Sequence, residues 1–260
     1  MGGVRKLGGG RSRRRRRRGR SGRSGRWAVV AVGLSLALSA CNVVYAGSWR
    51  TGPISADGDD TYAMTDQGGG IGFEAPATNL GGNLRFLGYD RNIPESVDHE
   101  SCTTWTGSPL TGGTLNRIQP GVALRAEVTV DRRRAITVSN NVFFYLRGTW
   151  NVHYADSTAQ QPMRLLAQLD FIDEMGDWYE PTSPHSPPWR MCARVVGTDL
   201  AVRIWPTTLV AEPAWDDPLY ARSVSLDPAY VFAGRPGWYM AHLAPGEVTS
   251  LVDWSGAGPI

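Results

Sequence analysis

Hydrophobic and polar residues alternate one by one along several short stretches of the chain. In GVALRAEVTV, residues 121–130, every second residue from Val122 is apolar, and Arg125, Glu127 and Thr129 stand between these positions. A period of two residues is the spacing of a β-strand with one buried face. The charged turn at 131–134 and the stretch AITVS that follows it, residues 135–139, predict a hairpin.

The second half of the chain contains further stretches of this kind. They predict strands over residues 142–154, 163–172, 189–196, 200–206, 237–243 and 248–254. The periodicity of 163–172 fits a helix as well as a strand, and the neighbouring strands favour a strand. The 17 prolines and 31 glycines interrupt nearly every window that could hold an amphipathic helix. The chain is therefore predicted to be all-β, as a two-sheet jelly-roll sandwich.

Several motifs in this half resemble one fold family. They are VVG at 195–197, LAVRIWP at 200–206, EPAW at 212–215, PGWYM at 236–240 and VDW at 252–254. Together they resemble the concanavalin A-like, laminin-G-like β-sandwiches, and the resemblance covers about residues 120–254. That family includes lectins, adhesion modules and glycoside hydrolases, so the resemblance implies a fold and leaves the function open.

The N-terminus is predicted to be a secretory signal peptide, residues 1–40. Its first part, 1–26, holds Lys6 and eleven arginines and no acidic residue, and the fourteen residues 27–40 carry no charge. A membrane-spanning helix needs about 20 apolar residues, so 27–40 fits the apolar centre of a signal peptide behind a basic segment. A nucleic-acid-binding arginine arm is the competing interpretation, and the apolar stretch directly behind it argues against nucleic acid as a partner.

Cys41 follows the small residues at the end of this apolar stretch. Residues 38–41, LSAC, resemble the lipobox of bacterial lipoproteins, a family in which a peptidase cuts before the cysteine and the thiol carries a diacylglyceryl group. The resemblance implies an anchor in the cell membrane, on its extracytoplasmic face, because two or more acyl chains hold a protein stably in a bilayer. Cleavage after Ala46 is the alternative and would give a secreted protein.

The signal peptide changes the charge of the working molecule. The chain has 27 basic and 24 acidic residues, and 12 of the basic residues but none of the acidic ones precede Cys41. The chain from Cys41 onward therefore carries 15 basic against 24 acidic residues, a net charge of −9. Residues 41–70 are rich in Gly, Ser, Thr and Asp, which predicts a lipidated residue and a tether before a sandwich domain at 71–260.

Two further cysteines, Cys102 and Cys192, form an even pair in a protein predicted to be exported. Disulfides persist in such an oxidising environment, so a bridge between them is expected. It would close a loop of about ninety residues, worth about 4 kcal/mol in the chain-entropy model. Two separate buried thiols are the alternative.

Tryptophan is the compositional outlier, because nine of the ten tryptophans lie beyond Cys41. Most are expected in the core. Trp178 and Tyr179 precede the proline-rich segment 180–188, and Trp215 precedes a second loop. Loops often carry binding residues and aromatic faces stack on sugar rings, so Trp178, Tyr179 and Trp215 are candidate ligand-binding residues, with core packing as the alternative.

Acidic residues cluster in DFIDEMGD, residues 170–177. Clustered oxygen ligands suit calcium, which makes Asp170, Asp173, Glu174 and Asp177 candidate calcium ligands, with DGDD at 57–60 a second candidate. No other cofactor is predicted. A retaining hydrolase would need two carboxylates on one strand face, whereas Asp170 and Asp173 face opposite sides, so no catalytic residue is assigned. Asp98-His99-Glu100 is expected to be an exposed charged loop.

These features predict a membrane-anchored, extracytoplasmic β-sandwich lipoprotein that binds glycan or another cell-envelope polymer without catalysis. One alternative is a glycoside hydrolase or lyase of the same fold. A second alternative is a structural or adhesion lipoprotein without a small ligand. Fold class alone does not separate these three functions.

Overall fold

The computed structural model describes residues 44–55, 61–77, 84–107, 118–141, 148–178 and 183–260. The predicted signal peptide, Cys41, the acidic segment 57–60 and Tyr179 lie outside these residues. In the part of the chain that is described, no helix is long and apolar enough to cross a bilayer.

Nearly all regular structure in the described residues is β-strand. The strands are β1 (Val44–Ala46), β2 (Trp49–Ser55), β3 (Ala63–Asp66), β4 (Ile71–Glu74), β5 (Arg85–Asp90), β6 (His99–Trp105), β7 (Gln119–Val128), β8 (Arg133–Asn141), β9 (Thr149–Asp156), β10 (Met163–Asp170), β11 (Trp189–Val196), β12 (Asp199–Pro206), β13 (Ala221–Ser225), β14 (Arg235–Ala241) and β15 (Val248–Ala257). A four-residue helix, α1 (Ile172–Met175), follows β10, and a 3-10 turn spans Pro228–Tyr230.

These strands form two antiparallel sheets. Sheet A has the order β1-β2-β5-β14-β7-β8-β9-β10, and sheet B has the order β13-β12-β11-β6-β15-β4-β3. Neighbours in sequence often lie in different sheets, as β5, β6 and β7 do, so the chain passes back and forth between the layers. The prediction of an all-β, two-sheet jelly-roll sandwich is confirmed, and so is the strand character of 163–170.

The segment predicted as a tether differs from the prediction. Residues 44–55 form β1 and β2 of sheet A, and residues 63–66 form β3 of sheet B. The alternation that marks a strand is hidden in β2, because Gly52 and Pro53 occupy its middle and the pairing with β5 shifts between Pro53 and Ser55. Glycine and proline inside a strand commonly mark such a bulge. The folded body thus begins before residue 71.

The space between the sheets is filled largely by aromatic side chains. The inner face of sheet A contributes Trp49, Phe86, Trp150 and Trp238, and sheet B contributes Phe73, Trp105 and Trp189. Several rings meet edge to face, including Phe73 with Trp238 at 5.0 Å and Trp150 with Trp189 at 5.6 Å between ring centroids. Such pairs add about 0.5–1.5 kcal/mol each beyond the burial of their area. The expectation that most tryptophans are core residues is met at these positions.

Sheet A also curls strongly about its outer face. A Cβ atom on Gly52 of β2 would lie 3.1 Å from Val128 of β7 and 3.1 Å from Arg133 of β8, although β5 and β14 separate β2 from β7 within the sheet. A second apolar cluster fills this curl, with Ile54, Leu87, Tyr89, Ala123, Val128, Ala135 and Tyr239 among its members. We call this side of sheet A, which faces away from sheet B, the concave face.

A buried arginine and histidine tie the two sheets together. Arg125 lies at a bulge of β7 with a φ of 52° and donates to three backbone carbonyls, those of Val97, Tyr230 and Gly197. Its backbone N–H donates to Nε2 of His99 at 2.7 Å. The expected exposed loop at 98–100 is therefore wrong, because His99 begins β6 and is fully buried.

This contact requires a neutral His99, which makes stability depend on pH. Burial lowers the pKa of His99 to about 4, whereas a histidine in the unfolded chain titrates near 6.5. Between these values the unfolded chain binds more protons, so the free energy of unfolding falls as pH decreases from about 6.5 to 4. We expect a loss on the order of 1–3 kcal/mol in this window, measured by urea unfolding at several pH values.

A matched variant isolates the contribution of His99 to the pH dependence of stability. In His99→Gln the amide oxygen can still accept from the Arg125 N–H, and it does not titrate. This variant should show a flatter stability profile between pH 6.5 and 4. An unchanged slope in the variant would contradict the assignment.

Candidate functional site

The middle of the concave face is polar. Strand pairing aligns five residues in one row across sheet A. In order they are Tyr239 of β14, Gly121 of β7, Ser139 of β8, Asn151 of β9 and Gln168 of β10. The neighbouring row contains Thr137 and His153, and Arg85 of β5 lies one row away on the other side. Because side chains alternate along a strand, these residues share the face that is opposite the sandwich core. We call this set, Arg85, Thr137, Ser139, Asn151, His153, Gln168 and Tyr239, the polar band.

Amide side chains connect the strands at one end of the polar band. Nε2 of Gln168 donates to Oδ1 of Asn151 at 3.1 Å, and Nδ2 of Asn141 donates to the same oxygen at 3.4 Å. Gln168 is exposed whereas Asn151 is buried. The band thus runs from the exposed edge strand β10 toward the buried middle of sheet A.

Four buried polar atoms of the band have no hydrogen-bond partner within the described chain. They are Thr137 Oγ1, Ser139 Oγ, His153 Nδ1 and Tyr239 Oη. A buried polar group without a partner costs about 1–3 kcal/mol, so native proteins rarely keep several of them together without a function. Their grouping on one face is the feature that marks this region as a candidate binding site.

The electrostatics of the band centre on Arg85. Its Nη1 donates to Ser55 Oγ at 3.0 Å, and its cation influences the titration of two other band residues. Burial, with a smaller contribution from Arg85, lowers the pKa of His153 to about 4, so this imidazole is neutral at pH 7. Burial raises the pKa of Tyr239 well above its usual value despite the opposing effect of Arg85, so its hydroxyl stays protonated.

Trp178, one of the predicted ligand-binding residues, lies in the core. Its side chain is 5% exposed and meets Trp189 and Trp105 edge to face, at 4.9 and 5.9 Å between ring centroids. The turn after α1 brings it there, and its carbonyl accepts from Ser186 Oγ. The packing alternative fits this position, and the neighbouring candidate Tyr179 lies outside the described residues.

Trp215 lies on the outer face of sheet B. The guanidinium groups of Arg203 and Arg194 stack over its ring at 4.2 and 4.5 Å, and the ring packs near Cys102, Cys192 and Trp205. The predicted disulfide is confirmed, with Cys102 of β6 bonded to Cys192 directly opposite on β11. Trp215 is half-buried, and its two stacked arginines hold it against this bridge.

Three of the four acidic candidates for calcium have separate partners within the described residues, and the fourth, Asp173, is exposed. Asp170 Oδ1 accepts from the backbone of Ile172, Glu174 pairs with Arg222 at 3.0 Å, and Asp177 pairs with His185 at 2.6 Å. Within the described residues, the one group of donors close enough to share a metal is Glu100, Cys102 and Cys192. Both of those sulfurs are consumed by the disulfide. Asp170, Glu174 and Asp177 thus make local contacts around α1, and of the four acids Asp170 lies at the end of β10 beside the polar band.

A second concavity lies on the outer face of sheet B. Its volume is about 380 Å³, and its lining includes Thr65, Gln67, Glu74, Thr106 and Ser250. The hydroxyls of Thr106 and Ser250 lie 2.8 Å apart and satisfy one another. Because its polar groups have partners or face solvent, this groove lacks the buried unpartnered atoms that mark the polar band.

Comparison with known proteins yields fold likenesses only. No family model and no curated protein matches the chain. Among solved structures, a carbohydrate binding module, CBM66 from Bacillus subtilis, is 10% identical, covering 81% of this chain and 96% of that chain with a TM-score of 0.44. The metal-free exoplasmic/lumenal domain of VIP36 is 8% identical, covering 82% and 85% with a TM-score of 0.45.

A third similar structure is a prokaryotic β-1,3-1,4-glucanase, a lichenase derived from a mouse hindgut metagenome. It is 8% identical, and the match covers 85% of this chain and 97% of that chain with a TM-score of 0.45. At these identities and TM-scores, the likenesses assign neither a family nor a ligand to this chain.

The polar band could not be found from the sequence by spacing. Its members come from β5, β8, β9, β10 and β14, and Arg85 and Tyr239 are more than 150 residues apart in the chain. Thr137 and Ser139 stand two apart within AITVS, and Asn151 and His153 stand two apart within NVHY; these two pairs are the local signals of a shared strand face. The register of the sheet brings the remaining residues to them.

Proposed function

We propose that the protein binds a glycan on the concave face of sheet A, at the polar band, and does so without catalysis. The observation that carries this proposal is the group of buried, unpartnered polar atoms on Thr137, Ser139 and His153. Sugar hydroxyls both donate and accept hydrogen bonds, so a glycan would satisfy hydroxyl and imidazole groups alike. The amide pair Asn151 and Gln168 extends the same surface toward the exposed edge of the sheet.

The proposal includes a position at the cell envelope. The lipobox-like residues 38–41 support export and a lipid anchor at Cys41, on the extracytoplasmic face of the membrane. A Cys41→Ser variant should move from the membrane fraction to the soluble extracytoplasmic fraction, with the described fold unchanged. Retention of this variant in the membrane fraction at the level of the parent would contradict lipidation, and release of both proteins would support the secreted form.

The binding test removes one hydroxyl from the polar band. Ser139→Ala should weaken glycan binding about three- to tenfold, because a hydrogen bond contributes about 0.5–1.5 kcal/mol. Binding to a glycan array identifies a ligand, and calorimetry with that ligand measures the affinity. Ser223→Ala is the matched control, since Ser223 is an exposed serine on β13 of sheet B. Equal loss in both variants, or no binding by the parent, would overturn the proposal.

One observation favours a lyase over a hydrolase as the second candidate function. The described strands place one carboxylate, Asp170, on the concave face, whereas a retaining hydrolase uses two. His153 is neutral and can accept a proton, and Tyr239 retains a proton to donate. Both lie near Arg85, so this set of side chains offers a base, an acid and a cation without a second carboxylate.

The corresponding reaction is a β-elimination on a sugar that bears a carboxyl group. His153 would take the proton from the carbon next to that carboxyl group, and the C–H electrons would form a carbon–carbon double bond. The bond to the leaving sugar oxygen would break, and that oxygen would receive the Tyr239 proton. An ultraviolet absorbance from the unsaturated product, abolished in His153→Ala, would establish this second function, and release of reducing ends without that absorbance would indicate hydrolysis.

A further inference from the structure

The first strand, β1, is an integral part of sheet A. All three of its residues pair with β2, and Ala46 is buried in the core between the sheets. The turn that joins β1 to β2 is fastened by Arg91, which donates from Nε to the carbonyl of Ser48 at 3.2 Å and from Nη2 to the carbonyl of Gly47 at 3.1 Å. Cleavage after Ala46 would remove β1 and its core contact, whereas cleavage before Cys41 keeps both.

Cleavage before Cys41 leaves a very short connection between that residue and the fold. Asn42 and Val43 are the two residues between Cys41 and the start of β1 at Val44. Consecutive Cα atoms are 3.8 Å apart, so in any conformation the Cα atoms of Cys41 and Val44 are separated by at most about 11 Å. The ten-residue strands β7 and β15 span about 30 Å. The connection is therefore much shorter than the domain that it joins to an anchor.

The direction of β1 indicates which part of the domain lies beside the anchor. Because β1 runs antiparallel to β2, its first residue points toward the end of sheet A at which β2 ends, β5 begins and β14 ends. Ser55, Arg85 and Ala241 pair with one another there. We call this the anchor end of the sandwich. The turn 242–247 leads from β14 to the exposed residue Val248 at the start of β15, also at the anchor end.

We propose that the anchor end lies directly against the phospholipid headgroups of the bilayer, held there by the lipidated Cys41. This inference rests on the proposed function, since it requires the lipid anchor. The net charge of −9 from Cys41 onward offers no general attraction to anionic lipids, so the short connection imposes the contact. A glycan bound on the concave face of sheet A is then held within about 30 Å of the membrane, the length of the strands.

The test measures the distance of each end of the domain from the bilayer. Val248→Cys places a label at the anchor end, and Ala159→Cys places one in the exposed β9–β10 turn at the opposite end. Cys102 and Cys192 are bridged and Cys41 is acylated, so a maleimide dye reacts with the introduced cysteine. Energy transfer to dye-labelled headgroups in neutral phosphatidylcholine vesicles should place the label at 248 about 20 Å or more nearer the bilayer than the label at 159.

A longer connection is the matched control. Twenty Gly/Ser residues inserted between Val43 and Val44 have a root-mean-square span of about 25 Å, so the domain can move away from the bilayer and turn. Energy transfer from the label at 248 should fall in this variant, and the difference between the two labels should shrink. Thermal unfolding of each labelled protein checks that the fold is intact.

The outcomes separate this inference from the proposed function. A mature chain that begins at Gly47, seen by mass spectrometry, would remove the anchor and this inference together, and glycan binding measured on the soluble domain would stand. A lipidated Cys41 with equal transfer from both labels, or with transfer that the insertion leaves unchanged, would overturn the membrane contact and leave the anchor in place. Binding of soluble Cys41→Ser protein to the same vesicles would also overturn it, because the domain would then hold lipid by its own surface.

Discussion

Replacement of Cys102 and Cys192 together by alanine will lower the free energy of unfolding by about 4–5 kcal/mol. The bridge joins residues 90 positions apart, so in the chain-entropy model it removes a large part of the freedom of the unfolded chain. For a domain of this length the loss corresponds to roughly 10–15 °C in the melting temperature. Guanidinium unfolding of parent and variant at neutral pH measures it.

Reducing agent provides the control for this prediction. With an excess of a dithiol reductant, the parent should unfold at nearly the same denaturant concentration as the double alanine variant. Trp215 and Trp205 pack near the bridge, so we expect reduction of the folded parent to be slow and reduction during unfolding to be fast. A double variant as stable as the oxidised parent would show that the fold does not depend on this cross-link.

Trp178→Ala will cost about 3–5 kcal/mol of stability, the range for removing a buried tryptophan from a core. The side chain is enclosed between Trp105 and Trp189, and alanine would leave a cavity between them. Trp178→Phe keeps a ring at this position and should cost less. Chemical unfolding followed by fluorescence of the remaining tryptophans measures both variants.

The same pair of variants separates packing from binding at Trp178. If its role is packing, glycan affinity measured well below the melting temperature should be unchanged in Trp178→Phe. A stable alanine variant with lost binding would instead make Trp178 a ligand contact. Trp215→Ala serves as the comparison with Trp178→Ala. Trp215 is half-buried under two arginines, so its replacement by alanine leaves a shallower cavity.

Strands in the second half of the chain were predictable because each buries one face. β7, β8, β11 and β12 show apolar residues at every second position, and their boundaries agree with the prediction to within a few residues. The first strands were not predictable on this basis. β3 and β4 are four residues long, and β2 combines a bulge with Gly52 and Pro53, so none shows a sustained period.

The candidate site depends on information that local sequence does not contain. The disulfide was predictable because an export signal leaves an even pair of cysteines. The polar band was not, since curvature of sheet A and the pairing of β14 between β5 and β7 bring Arg85 within electrostatic reach of His153. The orientation of Trp178 was not predictable either, because a large ring beside a proline-rich segment can turn inward as easily as outward.

The order of the strands has a consequence for how this chain reaches its folded state. The last two strands, β14 and β15, lie in the interior of the two sheets, between β5 and β7 and between β6 and β4. Neither sheet can be completed before β14 and β15 are present. The earlier strands β4 to β7 therefore lack a neighbour until the last strands have been synthesised. Contacts so distant in sequence slow folding, so β5, β6 and β7 stay incompletely paired until β14 and β15 are in place.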